Sequence, residues 1–362
     1  MRIVVDVTPL SLPRTGIGNY LLGMLRGLAE AGPEHELVAF AVAGPRGSRR
    51  IRETFAGLQV EQRVYTIPPP STSWRTGWSR LGRPAVERLA GRFDVFHFSD
   101  WMYPRQLAGL RTTTIYDLVP LRFPGSVAPL TRRMHGRKYR NAARTCDLLF
   151  AISEFTAGDA AELLRVPRER IRVAYPGVDE RFTPEGERAE PGGAGVPYVL
   201  AVSTLEPRKN LAALVEAFAL VRARRPELEL VVAGAEVRWA DIPLAGKGVR
   251  GLGFVPDEEL AALYRGASAF AYPSLFEGFG IPVVEALACG TPVVASAHPS
   301  LDEACGDAAL RADPRSPEAL AAAIEGALAD GGSLAAKGLA QAGRFTWRAC
   351  GEAHLEGYSS LL

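Results

Sequence analysis

The 362-residue chain reads as an α/β protein built from two tandem Rossmann-like units, each a parallel sheet covered by helices. Three observations predict this. Short apolar runs alternate with helical patterns almost throughout, the alternation breaks once and restarts, and the length suffices for two cores. Hydrophobic residues (47%) and charged residues (23%) lie in the globular range. No apolar run approaches the roughly 18 residues that span a bilayer.

The elements follow in order. The opening MRIVVDVTPL gives a strand over 3–7; its apolar stretch is short and interrupted by Asp6, so it is not read as a signal peptide. Further strands are expected over 37–41, 95–98, 113–115, 148–152 and 171–174. Leu21, Leu22, Leu25 and Leu28 have helical spacing within 20–30. A second helix over 130–143 is crowded by Arg132, Arg133, Arg137, Lys138, Arg140 and Arg144. Residues 182–196, FTPEGERAEPGGAGV, are rich in Gly, Pro and charge and read as a linker, which divides the chain into 1–180, 181–195 and 196–344. Beyond it, strands are expected over 198–203, 229–233, 249–254, 269–272 and 292–296. Helices are expected over 211–224, 257–265 and 283–288, the last closed by Gly290. Residues 345–362 form a final helix with an apolar face of Trp347, Leu355 and Tyr358.

Charge is uneven. Residues 1–180 carry a net +9 and residues 181–362 a net −7. A basic half suits an anionic partner or membrane surface; uneven surface decoration accounts for it equally well. Nothing points to nucleic acid. The four cysteines are far apart and form no CxxC pair, as expected of a reduced, cytoplasmic protein without a structural metal.

The most informative segment is 272–291, YPSLFEGFGIPVVEALACGT. A strand ends, Glu277 follows, and Gly278-Phe279-Gly280 leads through Ile281 into a helix with Pro282 near its start. Glycines let backbone amides approach a ligand, and a helix start favours phosphate or hydroxyl oxygens. Glu285 lies one turn into that helix, so both carboxylates can face one space, and each can accept both hydroxyls of a vicinal diol. An acidic helix start needing no ligand is the plainer alternative. The second segment, AVSTLEPRKN, places Arg208 and Lys209 on a loop after a buried strand, where two cations could neutralise a leaving diphosphate. Lysine is scarce, with only Lys138, Lys209, Lys247 and Lys337 in the chain.

Together SLFEGFGIPVVEALACGTPVV and STLEPRKN resemble the retaining GT-B enzymes of glycosyltransferase family 4. Further landmarks are Thr15–Tyr20 (TGIGNY), 115–124 (IYDLVPLRFP), 151–155 (AISEF), 175–179 (YPGVD) and 253–256 (GFVP). The resemblance covers nearly the whole chain. It implies two Rossmann-like domains facing each other across a cleft, with the last helix packing back on the first. It implies a nucleotide diphosphate sugar as donor substrate, no cofactor and no metal. Glu277, Arg208 and Lys209 become the catalytic candidates: Glu277 contacts the transferred sugar, and the two cations stabilise the leaving diphosphate. Glu285 grips the ribose. The backbone of Gly278, Phe279, Gly280 and Ile281, with Ser203 and Thr204, lies against the donor. Gly253, Phe254 and Val255 cradle the base, and Gly16 approaches the phosphates.

The sequence itself has no DxD string and no metal-ligand spacing. In many relatives the YD of Tyr116-Asp117 reads His-Asp, and that histidine reaches the donor sugar. Tyr116 cannot carry charge near neutral pH. Tyr116, Asp117 and His97 are therefore candidate sugar or acceptor contacts, each with a structural alternative. Ser153 reads as a helix cap. Pro68–Pro70 with Trp74 and Trp78 suggest a mobile loop over the acceptor side, or a surface excursion. The arginine-rich helix is either a solvated face or a contact for a lipid-linked, diphosphate-bearing acceptor.

The expected activity is transfer of a hexose, mannose foremost, to a glycan or lipid-linked acceptor in surface polysaccharide or glycolipid synthesis, with peripheral contact to an anionic inner membrane face. Two rivals remain. A nucleotide-sugar epimerase would need no acceptor, and a non-catalytic sugar-nucleotide-binding subunit would need no leaving-group cations.

Overall fold

A computed structural model describes every residue except 13–15, 100–103, 128, 236–243 and 245, and the side chains of 126 and 131. It divides into two compact units, Met1–Gly177 with Thr346–Leu362, and Val178–Phe345.

The first unit contains β1 (Arg2–Asp6), α1 (Gly16–Ala31), β2 (Glu36–Ala43), α2 (Pro45–Thr54), β3 (Glu61–Thr66), α3 (Ser71–Leu81), α4 (Glu87–Ala90), β4 (Val95–Phe98) and β5 (Leu110–Ile115). It continues through α5 (Val119–Arg122), α6 (Pro129–Thr145), β6 (Leu148–Ala151), α7 (Glu154–Leu164) and β7 (Ile171–Val173). The second contains β8 (Tyr198–Val202), α8 (Leu211–Arg224), β9 (Glu229–Ala233), β10 (Val249–Gly253), α9 (Asp257–Gly266), β11 (Ala269–Tyr272), α10 (Ile281–Ala288) and β12 (Val293–Ser296). Then come α11 (Asp302–Cys305), β13 (Ala309–Ala312), α12 (Pro317–Ala329) and α13 (Gly331–Ala342), before α14 (Trp347–Ser359) returns to the first unit.

Both sheets are parallel. The first runs β3-β2-β1-β4-β5-β6-β7 and the second β10-β9-β8-β11-β12-β13. Strands covered on both faces read as continuous apolar runs, and Ile3, Val4 and Val5 of β1 are fully buried. In the second sheet the strand order reverses between β8 and β11, so the loops leaving those two strands flank a crevice at their carboxyl ends. Ser153 caps α7, its hydroxyl accepting from the Thr156 amide at 2.9 Å.

Several expectations change. The helix expected within 20–30 begins earlier: the glycine segment from Gly16 forms the first turn of α1, and Thr15 lies outside the described residues. Residues 71–81, expected as loop, are the helix α3. The polar EQRVYT is the edge strand β3, which needs only one paired side. The segment expected as a linker belongs to the second unit: Phe182 is buried, and the Ala189 amide donates to the Ala262 carbonyl at 2.9 Å.

The last helix packs the face expected of it, with Tyr358 buried and Trp347 and Leu355 half-buried, and Cys350, Gly351, His354 and Gly357 are buried as well. Glycines set this packing. A Cβ on Gly27 would lie 1.8 Å from the Trp347 carbonyl oxygen, and one on Gly351 would lie 2.2 Å from the Gly27 carbonyl carbon, so α1 and α14 meet backbone to backbone. His354 stacks on Phe150 at 4.1 Å between ring centres and bonds the Cys350 carbonyl through Nδ1 at 2.8 Å.

Two outcomes follow. Gly27→Ala forces α14 outward and should cost about 1–3 kcal/mol in thermal unfolding. Gly16→Ala, which meets nothing within 4 Å, should leave the midpoint unchanged. The second concerns acid. Burial lowers His354 from 6.5 to about 4, so the unfolded chain binds the proton first and stability falls as pH drops through 6.5. The loss should reach about 2 kcal/mol at pH 5. His354→Phe should flatten the fall of the unfolding midpoint between pH 7 and 5; an unchanged slope would refute this.

Candidate active site

The crevice of the second sheet is built by two loops that hold each other. After β8 the chain makes a short turn over Pro207–Lys209 and reverses at Asn210, which adopts φ of 58°. Asparagine tolerates this left-handed conformation better than most residues. Its amide Nδ2 donates to the carbonyls of Pro273 (3.2 Å) and Pro314 (2.6 Å), tying this turn to the loops after β11 and β13. The Leu275 amide donates to the Arg208 carbonyl at 2.9 Å, closing the same connection.

Arg208, Lys209 and Glu277 are thereby brought into direct contact. Lys209 Nζ lies 2.7 Å from Glu277 Oε1, and Arg208 Nη1 lies 2.9 Å from Glu277 Oε2. Lys209 also donates to the Tyr272 hydroxyl at 2.9 Å, and that hydroxyl donates to Glu277 Oε1 at 3.0 Å. Arg208 Nη1 donates to the Phe276 carbonyl at 2.8 Å, and the Glu277 amide donates to Ser300 Oγ at 3.0 Å. Lys209 and Glu277 are both buried. Burial opposes ionisation of Glu277, but the Lys209 and Arg208 charges outweigh it and hold the carboxyl down to about 2. Burial lowers Lys209, and attraction to Glu277 counters it.

Glu285 sits in another environment. It is half-buried on α10 and accepts from the Tyr264 hydroxyl at 3.1 Å. Burial raises it to about 7, with Asp257 and Asp179 adding to the rise while Tyr264 and Arg181 counter it. The two glutamates of one motif therefore differ by several units, one a fixed anion and the other titrating near neutrality.

Gly280 enters α10 at φ of 106°, which favours glycine, and a Cβ there would come 2.6 Å from Leu301. Gly278 is buried beside it, and Ile281 opens the helix. The Phe279 ring is buried edge-on against Phe345 at 5.0 Å, so only its backbone is placed to meet a ligand. Ser203 and Thr204 follow β8. The Ser203 hydroxyl is buried without a partner among the described residues, and Thr204 Oγ1 donates to Glu206 at 2.9 Å. Gly253–Val255 leaves β10 at the same carboxyl edge. Its Gly253 carbonyl accepts from Gly234 at 2.8 Å, and Phe254 is 68% exposed.

In the first unit His97 is not the candidate substrate contact; its structural alternative holds. It is fully buried on β4, bonded at Nδ1 to Thr112 and Tyr358 (both 3.0 Å) and at Nε2 to Thr114 (3.1 Å). Burial keeps it neutral, so it serves the core and does not touch substrate. Tyr116, half-buried after β5, packs edge-on against Tyr20 at 5.3 Å, and burial raises its hydroxyl pKa. Asp117 Oδ1 accepts from the Val119 amide at 3.0 Å and so helps start α5. Lys138 is not part of a solvated face; it turns inward and donates to the Ser99 carbonyl at 3.0 Å.

Sequence reasoning missed Tyr272, Asn210, Ser300 and Tyr264. Tyr272 opens the informative segment and could have been found there. The others are recognisable only once the loops are folded. Among the described residues no group of three His, Cys, Asp or Glu side chains is arranged to hold a metal ion, and no helix is long and apolar enough to cross a membrane.

Comparison with known proteins identifies the family and the fold. Residues 14–182 match the model of Glycosyltransferase Family 4, and residues 186–344 that of Glycosyl transferases group 1. The chain is 28% identical to O-antigen chain mannosyltransferase B of Escherichia coli, with all of both chains covered. It is 30% identical to an MMP alpha-(1->4)-mannosyltransferase of Mycolicibacterium hassiacum, with 80% of each covered. HepE of Anabaena, solved with UDP and glucose, shares the fold at a TM-score of 0.72 and 18% identity, covering 99% of this chain and all of that one. The chain belongs to glycosyltransferase family 4 and is a glycosyltransferase with the GT-B fold.

Proposed function

We propose that this enzyme moves mannose from GDP-mannose, with retention of anomeric configuration, to a glycan or lipid-linked acceptor in surface polysaccharide or glycolipid synthesis. The observation that carries the reading is the Arg208–Lys209–Glu277 cluster at the point where the second sheet reverses its strand order. The mannosyltransferase names of the relatives at 28% and 30% identity favour mannose and a polysaccharide product. Acceptors of this kind are met at the cytoplasmic membrane face, with which the chain makes peripheral contact.

In this mechanism the bond from the anomeric carbon to the donor phosphate oxygen breaks, and the acceptor oxygen bonds to that carbon on the same face. The acceptor proton passes to a phosphate oxygen. Negative charge grows on the diphosphate, and Arg208, Lys209 and the start of α10 meet it without a metal or cofactor. Glu277, ionised throughout, holds both cations in place and offers its rim to the sugar. Glu285 takes the ribose diol, and the exposed Phe254 lies beside the base.

Arg208→Ala, at the half-buried end of the cluster, should lower kcat about 10²–10³-fold in mannose transfer from GDP-mannose. A parent-like rate would remove the cluster from the chemistry, and faster turnover of UDP-glucose would reject the donor. Glu285 yields a pH test. Diol hydroxyls donate to the ionised carboxylate, so binding favours the deprotonated form of a group raised to about 7. The Kd for GDP-mannose should fall as pH rises from 6 to 8, and Glu285→Gln should abolish that slope. A pH-independent parent Kd would break the assignment.

A further inference from the structure

Trp74, Trp78 and Leu81 recur at i, i+4 and i+7 along α3, the spacing of a single helix face. Only its middle lies on a core: Trp78 is half-buried beside Phe40, 6.4 Å between ring centres, whereas Trp74 is 58% and Leu81 78% exposed. Beside the stripe opens a pocket of about 630 Å³ walled mainly by carbon, from Val42, Tyr65, Ile67, Trp78 and Leu89. Its border has one sign of charge. Residues 62–86 contain Arg63, Arg75, Arg80 and Arg83 and no Asp or Glu, and Arg80 and Arg83 are exposed. Of the flanking acids, Glu61 pairs with Arg63 at 2.5 Å and with Arg2 at 2.7 Å, and Glu87 accepts from the Leu107 amide at 2.6 Å, so the charge of the border rests on Arg75, Arg80 and Arg83.

We propose that this face docks on an anionic lipid bilayer. Trp74 and Leu81 enter the boundary between headgroups and acyl chains, while Arg80 and Arg83 lie against lipid phosphates. A bilayer matches the face in both respects, being hydrocarbon below and anionic above, as an interfacial amphipathic helix requires. A protein partner would have to present a uniformly acidic rim around an apolar knob to do the same. The proposal deepens the peripheral contact suggested above by giving it a surface, one distinct from the exposed arginines of α6.

The test is co-sedimentation of the full chain with vesicles of phosphatidylglycerol or phosphatidylcholine. The parent should bind phosphatidylglycerol and not phosphatidylcholine. W74S/L81S should weaken that binding at least tenfold, and R80E/R83E should do likewise, with unfolding midpoints and GDP-mannose affinity at parent values. Equal binding to both lipids, no binding to either, or parent-like binding by both variants overturns the proposal. So does release by R132E/R137E on α6 alone, or a parent dimer that W74S/L81S dissolves, which would make the stripe a self-association face. Vesicle binding is read without sugar transfer. A chain that binds vesicles but transfers no mannose therefore sinks the donor reading and leaves this one standing.

Discussion

One buried carboxylate shared between two cations governs the second unit. Removing Lys209 and Glu277 from water is costly for each alone, and it becomes tolerable because Glu277 meets Lys209 at 2.7 Å and Arg208 at 2.9 Å, with the Tyr272 hydroxyl completing the set. The arrangement requires two loops from non-consecutive strands to meet, which the reversal of strand order between β8 and β11 supplies. Asn210 fastens one loop to the other through the Pro273 carbonyl and to the loop after β13 through the Pro314 carbonyl. The charges are thus positioned before any ligand arrives, the condition under which electrostatic stabilisation is most effective.

The same helix start shows how environment divides two identical side chains. Glu277 stands where positive charge outweighs desolvation, whereas Glu285 has burial and two nearby aspartates against it and Tyr264 and Arg181 in its favour. Spacing alone places both on one segment. It does not distinguish the fixed anion from the group poised near neutrality, because the distinction resides in residues brought from α9 and from the chain around Arg181.

That contrast marks what the sequence made legible. The strands 95–98, 229–233 and 269–272 and the helix 211–224 were readable to the residue, since each is a buried apolar run or a long periodic stretch. The edge strand β3 and the helix α2 were not: both are polar, and in α2 only Ser48 and Ile51 are buried. The glutamates and the cation pair were legible as motifs. Their mutual salt bridges depended on long-range closure. A partner of His97 was equally hidden, because the Tyr358 hydroxyl bonded to it comes from 261 residues away.

The family resemblance implies a histidine where Tyr116 stands, and the neighbours of Tyr116 give the difference a physical reading. Lys138 is buried, and its ammonium lies 5.6 Å from the centre of the Tyr116 ring. It also helps to lower both His97 and His135. An imidazole at position 116 would meet the same field and be pressed toward its neutral form. A tyrosine ring instead presents its electron-rich face to the cation. Lys138 and Tyr116 therefore form a compatible pair, and the loss of histidine need not leave the first unit without positive charge near the ends of β4 and β5, because Lys138 is held at the Ser99 carbonyl that follows β4.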